Sequence, residues 1–227
     1  KSYRPLPVKR VEIPKPDGGV RKLGIPAVRD RIVQQMVLDV LQPIFDPHFH
    51  PSSYGYRPGR GCHQAIGKAQ MFIRHYEMPY VVDMDLSKCF DRLDHELIIR
   101  QVRTRVRDGS ILRLLKQFLE SGVMEEGVLA ETREGSPQGG VISPLLANIY
   151  LDAFDQFTRA RGYRIVRYAD DILIFASSSK GAQRRMSEAV KFLEEELKLV
   201  VNREKTELTT AQEGVKFLGV VIHGGYT

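Results

Sequence analysis

The stretch YRIVRYADDILIFA, residues 163–176, decides the fold that we expect for this chain. Two runs rich in β-branched and aromatic residues, YRIVRY and ILIFA, are separated only by Ala169, Asp170 and Asp171. Runs of this composition on either side of a very short connection predict a tight β-hairpin. The two acids would therefore lie at the tip of the hairpin, beside the ends of two strands.

A second strand is expected upstream of this hairpin. Residues 80–86, YVVDMDL, predict a buried strand that carries Asp83 and Asp85. Helices are predicted over residues 94–106, 110–121, 143–157 and 180–197, and further strands near residues 206–209 and 215–222. This order of strand, helices, hairpin, helix and strand is typical of a split βαβ, ferredoxin-like antiparallel sheet with its helices on one face. The fold class is therefore α+β, and Asp85 is expected close to Asp170.

The N-terminal part of the chain is expected to begin with another hairpin. The runs VKRVEIP and VRKLGIP flank the turn signal PDGG at residues 16–19. The tip of this hairpin would carry three basic residues, Lys15, Arg21 and Lys22.

Two helices and a loop are predicted to follow. Residues 28–45 contain an apolar stripe at helical spacing, which predicts a helix with this stripe in the core. The stripe consists of Ile32, Val33, Met36, Val37, Val40, Leu41 and Ile44. Residues 47–61 are rich in Pro, Gly, Ser and Tyr and predict a loop that holds Arg57 and Arg60, and residues 62–76 then predict a second helix.

Composition limits the class of protein. Apolar residues make up 42% and charged residues 27% of the 227 positions, which excludes a disordered or fibrous chain. Lys and Arg outnumber Asp and Glu by 34 to 28, and this basic balance favours a polyanionic partner such as nucleic acid. Cys62 and Cys89 are too few for a disulfide framework. This cysteine count favours an intracellular protein. No apolar run approaches the roughly 20 residues that cross a bilayer, so we expect a soluble protein that does not bind membranes.

Asp85, Asp170 and Asp171 are suited to hold metal ions. Phosphoryl transfer by two metal ions requires carboxylates that bridge a pair of Mg²⁺ ions about 3.5 to 4 Å apart. Magnesium prefers oxygen ligands and keeps positions open for substrate phosphates. Because Asp is also favoured in turns for conformational reasons, the acid pair taken alone leaves a purely structural alternative open.

Several motifs resemble those of reverse transcriptases, and they occur in the order of that family. RYADDILIFA at residues 167–176 looks like the Tyr-x-Asp-Asp signature, and DMDLSKCFDRLDH at 83–95 resembles the first catalytic strand. EGSPQGGVISPLLANIYLDAFD at 134–155 resembles the nucleotide-binding turn and helix, NREKTEL at 202–208 the lysine motif, and VKFLGVVI at 215–222 the motif that closes the palm. The resemblance implies an RNA-directed DNA polymerase with the fingers and palm of a polymerase right hand.

The resemblance is closest to the proteins encoded by group II introns. It lies in IPKPDGGVRKLGIPAVRDRIVQQ (13–35), SYGYRPGRGCHQAI (53–66) and SPQGG (136–140). It implies fingers over residues 1–79, with additional fingers elements within 95–133, and a palm over 80–227. We expect no thumb, maturase, DNA-binding or endonuclease domain within the chain.

The resemblance also implies a role for each candidate residue. The metal ligands would be Asp85, Asp170 and Asp171, with Asp83 as the competing acid on the same strand, and they would bind two Mg²⁺ ions or Mn²⁺ in their place. Phe90 would lie beneath the sugar of the incoming nucleotide, or be a core residue. The remaining residues implied for nucleotide binding are Gln138, Lys15 and Arg21. Lys205 would protonate the leaving pyrophosphate, or be a surface lysine paired with Glu204 or Glu207, and Arg57 and Arg60 would contact RNA.

The expected function is transfer of nucleotides from dNTPs to a primer 3′-hydroxyl on an RNA template. The expected partners are template RNA, group II intron RNA, a DNA primer or target and dNTP, with a homodimer as an option. The whole protein would also assist intron splicing and mobility, in the bacterial cytoplasm or an organelle matrix and near the nucleoid during mobility. Two alternatives stay open: an RNA-binding splicing maturase with little polymerase activity, and a retron, diversity-generating or CRISPR-linked reverse transcriptase.

Overall fold

The computed structural model describes residues 3–14, 20–125, 128–130, 135 and 139–224, with the backbone alone for Arg21, Glu125 and residues 128–130. Tertiary contacts divide the chain into two compact units. The first unit comprises Lys1–His48 and Lys88–Tyr150, and the second comprises Phe49–Ser87 and Leu151–Thr227. The units thus interleave along the sequence, whereas the expected division lay between residues 79 and 80. The assignment of fingers and palm stays a prediction.

Ten strands and six α-helices occur in the described part of the chain. The strands are β1 (Val8–Pro14), β2 (Val20–Ile25), β3 (Tyr80–Met84), β4 (Val123–Glu125), β5 (Val128–Ala130), β6 (Arg164–Tyr168), β7 (Asp171–Ala176), β8 (Glu207–Thr210), β9 (Val215–Phe217) and β10 (Val220–Ile222). The helices are α1 (Val28–Phe45), α2 (Cys62–Arg74), α3 (His95–Arg103), α4 (Gly109–Leu119), α5 (Ser143–Ala160) and α6 (Ser179–Lys191), which continues as a π-helical turn over Phe192–Glu196.

The first unit contains a four-stranded sheet in the order β2-β1-β4-β5. Strands β1 and β2 form the predicted antiparallel hairpin, with Lys9 opposite Ile25 and Pro14 opposite Val20. The turn residues 15–19 of this hairpin lie outside the described residues. Strands β4 and β5 were not predicted: β4 pairs in parallel with β1 at Val8, and two three-residue strands are too short to give a periodic signal.

Helix α1 buries a different face from the one that its apolar stripe predicts. The buried residues are Asp30, Gln34, Val37, Leu41 and Phe45, so only Val37 and Leu41 of the predicted stripe are in the core. Ile32, Met36, Val40 and Ile44 are exposed, and the expectation that they are core residues is wrong. The physical reason is that two polar side chains on the buried face have distant partners: Asp30 accepts hydrogen bonds from Tyr3 and Leu6, and Gln34 from Val141 and Ile142.

The second unit is organised around a four-stranded antiparallel sheet in the order β6-β7-β3-β8. In chain order its strands are β3, β6, β7 and β8, and with α5 after β3 and α6 after β7 this is the predicted split βαβ topology. Arg167 on β6 lies opposite Ile172 and forms an ion pair with Asp155 of α5, so α5 covers the face that carries Ile172. Helix α2 packs against the other face, where Phe72 lies 5.2 Å from Phe175 between ring centroids.

The end of the second unit differs from the single strand expected over residues 215–222. This segment folds back on itself as the hairpin of β9 and β10, with Phe217 paired to Val220. Leu218 and Gly219 between them both have positive φ, at 49° and 82°, as a two-residue hairpin turn requires. No helix in the described part of the chain is both long and apolar enough to cross a membrane.

Candidate active site in the second unit

The acids predicted to be catalytic come together at one edge of the second unit's sheet. Tyr168 pairs with Asp171 across the β6-β7 hairpin, so Ala169 and Asp170 form a two-residue turn. Met84, the last residue of β3, pairs with Ile172, the residue that follows Asp171. The register therefore brings the end of β3, and with it Asp85, beside the tip of the hairpin.

The strand register also decides which acids share a face of the sheet. Asp83 lies opposite both Leu173 and Glu207, and paired residues in antiparallel strands point to the same side. Because side chains alternate along a strand, Asp171 lies on the same face as Leu173. Asp83 and Asp85 are two residues apart, a spacing that places side chains on the same face of an extended chain. One face thus carries Asp83, Glu207 and Asp171 at the edge where Asp85 follows β3.

Burial and neighbouring negative charges both raise the pKa of two of these carboxyl groups. Burial, followed by the charges of Asp170 and Asp85, raises the pKa of Asp171 to about 6. Burial, followed by the charges of Asp171, Glu207 and Asp85, raises the pKa of Asp83 to about 6. Like charges in a partly buried site oppose ionisation, and a nearby cation would relieve that opposition. The edge is therefore a site of concentrated negative potential.

Carboxylates are the type of ligand that a hard divalent cation binds, although the oxygens of these acids do not converge on one point. Among the residues that the structure describes, no three His, Cys, Asp or Glu side chains are arranged to hold a metal ion together. Mutual repulsion favours rotamers that separate carboxylate oxygens, and a bound cation would reverse this preference. Carboxylates alone, without sulfur or imidazole, suit Mg²⁺ or Mn²⁺ rather than zinc.

A neighbouring loop holds the backbone of Asp85 on both sides. The amide of Asp85 donates to Thr206 Oγ1 at 3.1 Å, and its carbonyl accepts from the amide of Asn202 at 2.9 Å. The next residues continue the contact, because Leu86 pairs with Val201 and the Ser87 amide donates to the Val200 carbonyl. Lys205 lies in this loop and is exposed, in the same unit as the acids. Sequence reasoning singled out Lys205 and missed Thr206, whose role depends on a partner 121 residues away.

Arg57 and Arg60 have different environments. Arg57 is 7% exposed, and its guanidinium donates to the carbonyls of His50 and Ser53 and lies over the ring of Phe49. Arg60 is partly exposed, bonds to the Pro51 carbonyl and lies over the ring of Tyr54. Arg57 is buried and its Nη1 already donates to two backbone carbonyls, which favours a structural role over the predicted RNA contact, whereas Arg60 stays a candidate.

Phe90 is the predicted nucleotide-binding residue whose side chain the structure describes. It is buried in the first unit, at 9% exposure. Lys15 and Gln138 lie outside the described residues, and of Arg21 only the backbone is described. Gly139, the next residue after Gln138, has a φ of 115°, and a Cβ at this position would lie 2.8 Å from the Gly24 carbonyl oxygen, so only glycine fits against β2.

Comparison with known proteins identifies the family to which these motifs are similar. A family model described as "Reverse transcriptase (RNA-dependent DNA polymerase)" matches residues 13–222. Protein YkfC of Escherichia coli (strain K12) is 35% identical over an alignment of 254 positions, and the alignment covers 96% of this chain and 67% of that protein. The group II intron-encoded protein LtrA of Lactococcus lactis subsp. cremoris is 29% identical over an alignment of 290 positions, and the alignment covers 96% of this chain. The chain spans about half the length of LtrA, namely 47%.

Solved structures agree with the fold. Telomerase from Candida albicans, in complex with a fragment of telomeric RNA, superposes on 98% of this chain with a TM-score of 0.70. The matched part is 44% of the telomerase chain, and the two sequences are 14% identical. At this level of identity the likeness concerns the fold alone.

Proposed function

The chain belongs to the reverse transcriptase family, and from this premise we propose that it carries the polymerase active site of a group II intron-encoded protein. The reaction is attack of a primer 3′-hydroxyl on the α-phosphate of a dNTP paired to an RNA template, with release of pyrophosphate. The observation that supports it is the convergence of Asp85, Asp170 and Asp171 at one sheet edge, where burial and the charges of Asp170 and Asp85 raise the pKa of Asp171.

The cofactor requirement follows from the chemistry of this edge. Members of the family use divalent metal ions, and Asp85, Asp170 and Asp171 would hold two Mg²⁺ ions, with Mn²⁺ as a substitute. The ions would supply electrostatic stabilisation of the attacking and leaving oxygens. In the described part of the chain, this edge has the carboxylates needed, and nucleic-acid binding alone does not need acids that would repel the phosphates of a polyanion.

Further residues take the roles that the family resemblance implies. Lys205 lies in the loop that holds the backbone of Asp85, and we assign it the proton that pyrophosphate gains on leaving. Phe90 would exclude a 2′-hydroxyl on the incoming nucleotide, and Gln138 would contact the nascent base pair. Lys15 and Arg21 would clamp the triphosphate, Arg21 through a guanidinium fork that binds phosphate oxygens in pairs and Lys15 as a point charge.

The proposed partners are template RNA, a DNA primer or target, dNTP and the RNA of a group II intron. The extension to intron RNA comes from the relative named for a group II intron, and Arg60 is the described arginine that we assign to RNA contact. The net charge of +6 favours such polyanions. By the same relationship we propose that the whole protein also assists splicing and mobility of its intron, in the bacterial cytoplasm or an organelle matrix.

Primer extension tests the proposal. The assay uses poly(rA)/oligo(dT), dTTP and Mg²⁺, and compares the protein with its Asp170→Asn and Asp85→Asn variants and with Asp39→Asn as a matched control. Asp39 is exposed on α1 and bonds only to Gln35 among the contacts described. We expect metal-dependent extension that falls by at least about 10³-fold in the two site variants and is unchanged in the control.

Two outcomes of these assays would contradict the proposal. Extension that persists in a folded Asp85→Asn or Asp170→Asn variant would refute the metal assignment. A folded whole protein with no extension at all, but with salt-resistant preference for intron RNA over unrelated RNA, would move the function to the splicing alternative.

A further inference from the structure

Arg167, the residue that precedes the Tyr-Ala-Asp-Asp turn, is a charged side chain with no exposure to solvent. Its guanidinium forms a bidentate ion pair with Asp155 of α5: Nε donates to Oδ1 at 2.9 Å and Nη2 donates to Oδ2 at 2.6 Å. Both side chains are fully buried. Removing two charges from water costs several kcal/mol per ion in real proteins, so a buried pair is weak evidence for stability. A buried pair beside a candidate active-site turn therefore indicates a role other than stabilising the fold.

The third donor of Arg167 reaches the turn itself. Nη1 donates to the carbonyl oxygen of Ala169 at 2.9 Å. This carbonyl belongs to the peptide that joins Ala169 to Asp170. The hydrogen bond therefore fixes the orientation of the peptide plane from which the Asp170 side chain departs. Asp155 occupies the other side of the fork, so the guanidinium cannot turn away without breaking a bidentate pair.

The turn needs such support because its backbone is strained. Ala169 has a φ of 56°, in the left-handed region that costs a residue with a Cβ roughly 1–2 kcal/mol. The first central residue of a two-residue hairpin turn is usually glycine, asparagine or aspartate when its φ is positive. Alanine offers no side-chain hydrogen bond of its own, and strained residues persist only where their surroundings hold them.

A second contact supports the same turn from the segment around Gly55. The Arg167 amide donates to the Ser52 carbonyl and the Tyr54 amide donates to the Arg167 carbonyl, both at 2.9 Å. A Cβ added to Gly55 would lie 2.3 Å from the Ala169 nitrogen, so this glycine is in direct contact with the turn. The backbone of Arg167 is thus held by this segment, and its side chain transmits that position to Ala169.

We propose that Arg167, oriented by Asp155, is a positioning residue that sets the peptide plane before Asp170 and so aims the acid pair. The proposal rests on the proposed polymerase function for its effect on rate, but the effect on the turn is independent of that function. Arg167 touches neither substrate nor reacting atoms in this assignment. It acts through the Ala169 carbonyl.

The test compares two variants with a matched control. Arg167→Lys keeps the charge, but its ammonium lacks the rigid planar fork that donates to the Asp155 carboxylate and the Ala169 carbonyl together. The double variant Arg167→Met with Asp155→Leu removes the whole pair with side chains of similar size, a change that buried pairs often tolerate without loss of stability. Arg185→Lys is the control, because the Arg185 guanidinium donates to the carbonyl of Phe175 near the other end of β7.

Steady-state kinetics on the whole protein give the first readout. We expect kcat to fall about 100-fold in both variants, with the KM for dTTP within about threefold, because displacement of a catalytic group by about 1 Å costs this much without removing substrate contacts. Arg185→Lys is expected to leave both parameters near those of the wild type. A folded double variant with wild-type kcat, or an Arg185→Lys variant that loses as much kcat as Arg167→Lys, would overturn the proposal.

Amide hydrogen exchange gives the second readout, which does not depend on catalysis. The Asp170 and Asp171 amides should exchange at least about tenfold faster in the double variant, while β3 and β7 beyond the turn keep their protection. Unchanged exchange at the turn would overturn the proposal even if the rate falls. If the wild type proves inactive, the proposed function fails, and exchange alone still decides whether Arg167 holds the turn.

Discussion

The amide of Asp85 donates a hydrogen bond to Thr206 Oγ1 at 3.1 Å, across 121 residues of sequence. The Thr206 amide in turn bonds to the Asn202 carbonyl, and the Asn202 amide bonds to the Asp85 carbonyl. The loop that carries Lys205 and the acid that we assign to metal binding are therefore held as one unit of backbone structure. Any displacement of this loop would therefore also displace Asp85.

The first prediction concerns Thr206→Val, which keeps the shape of the side chain and removes the acceptor. An unpaired, partly buried amide costs about 1–3 kcal/mol, and we expect a loss of stability of this order. The shift of Asp85 should lower the extension rate about ten- to a hundredfold. Urea unfolding and single-turnover extension measure the two effects.

Thr104→Val is the control for this change, because the Thr104 hydroxyl donates only to a carbonyl of its own helix end at Gln101 among the bonds described. The control should change neither quantity appreciably. An extension rate in Thr206→Val equal to that of the wild type would show that the loop does not position Asp85.

The second prediction concerns Gly55→Ala, which introduces a Cβ 2.3 Å from the Ala169 nitrogen. The Ala169 nitrogen cannot move away at low cost because it belongs to the backbone, so we expect about 1–3 kcal/mol of destabilisation from overpacking. The turn at Ala169 and Asp170 should shift, and extension should fall even at temperatures where the variant is fully folded. Thermal unfolding and primer extension report the two effects.

Gly67→Ala is the matched control, since Gly67 lies in α2 and a Cβ there meets no atom within 4 Å. Alanine is the better helix former by roughly 1 kcal/mol, so this variant should be slightly more stable and as active as the wild type. Equal activity of the two glycine variants would contradict the close approach at Ala169.

The third prediction is a dependence of stability on pH. Burial, with the neighbouring acids, raises the pKa of Asp83 in the folded protein from its ordinary value of 3.8 to about 6. The native state therefore binds a proton more readily than the unfolded chain between pH 4 and 6 or so, and stability contributed by this group falls as the pH rises through that range. Asp171, with its pKa raised to about 6, acts with the same sign.

Asp83→Asn should remove part of this dependence. In metal-free buffer the variant should be more stable than the wild type at pH 8, and the difference should shrink towards pH 5. Urea unfolding at both pH values measures it. A variant that is less stable than the wild type at pH 8, or a difference that grows on acidification, would mean that Asp83 is stabilised as a carboxylate.

The fourth prediction separates the two arginines of the loop before α2. Arg57→Gln should lower stability by about 1.5–3 kcal/mol, because a buried charged donor loses its bonds to the His50 and Ser53 carbonyls. Its RNA affinity, measured while folded, should keep the salt dependence of the wild type. Arg60→Gln should have the smaller effect on stability.

Titration of RNA binding against salt provides the comparison. Loss of one phosphate contact in Arg60→Gln should reduce the slope of log affinity against log salt by about one unit or slightly less. A reduced slope in Arg57→Gln instead would assign the RNA contact to the buried residue and contradict its structural role.

Local sequence was sufficient for the elements that carry the acids. The hairpin over residues 163–176 was predicted from two β-rich runs around a short connection, and the order of elements then gave the ferredoxin-like topology. Both inferences rest on signals within a few residues of one another. The same holds for the β1-β2 hairpin and for the extent of α1, whose ends coincide with those expected.

The buried face of α1 and the environment of Arg57 could not be predicted in this way. An apolar stripe normally marks the core, yet Asp30 and Gln34 are buried and Ile32 and Met36 are exposed. A polar side chain is buried at low cost only when a partner satisfies it, and the partner of Gln34 lies 107 residues away at Val141.

The sequence by itself determined that acids stand at the tip of a palm-like hairpin and which family the motifs resemble. Only the tertiary structure decided what holds those acids: Thr206 on the backbone of Asp85, and Arg167 with Asp155 beneath Ala169. The reason is physical. Secondary structure follows from periodicity along the chain, whereas hydrogen bonds between distant residues depend on register and packing that no local pattern encodes.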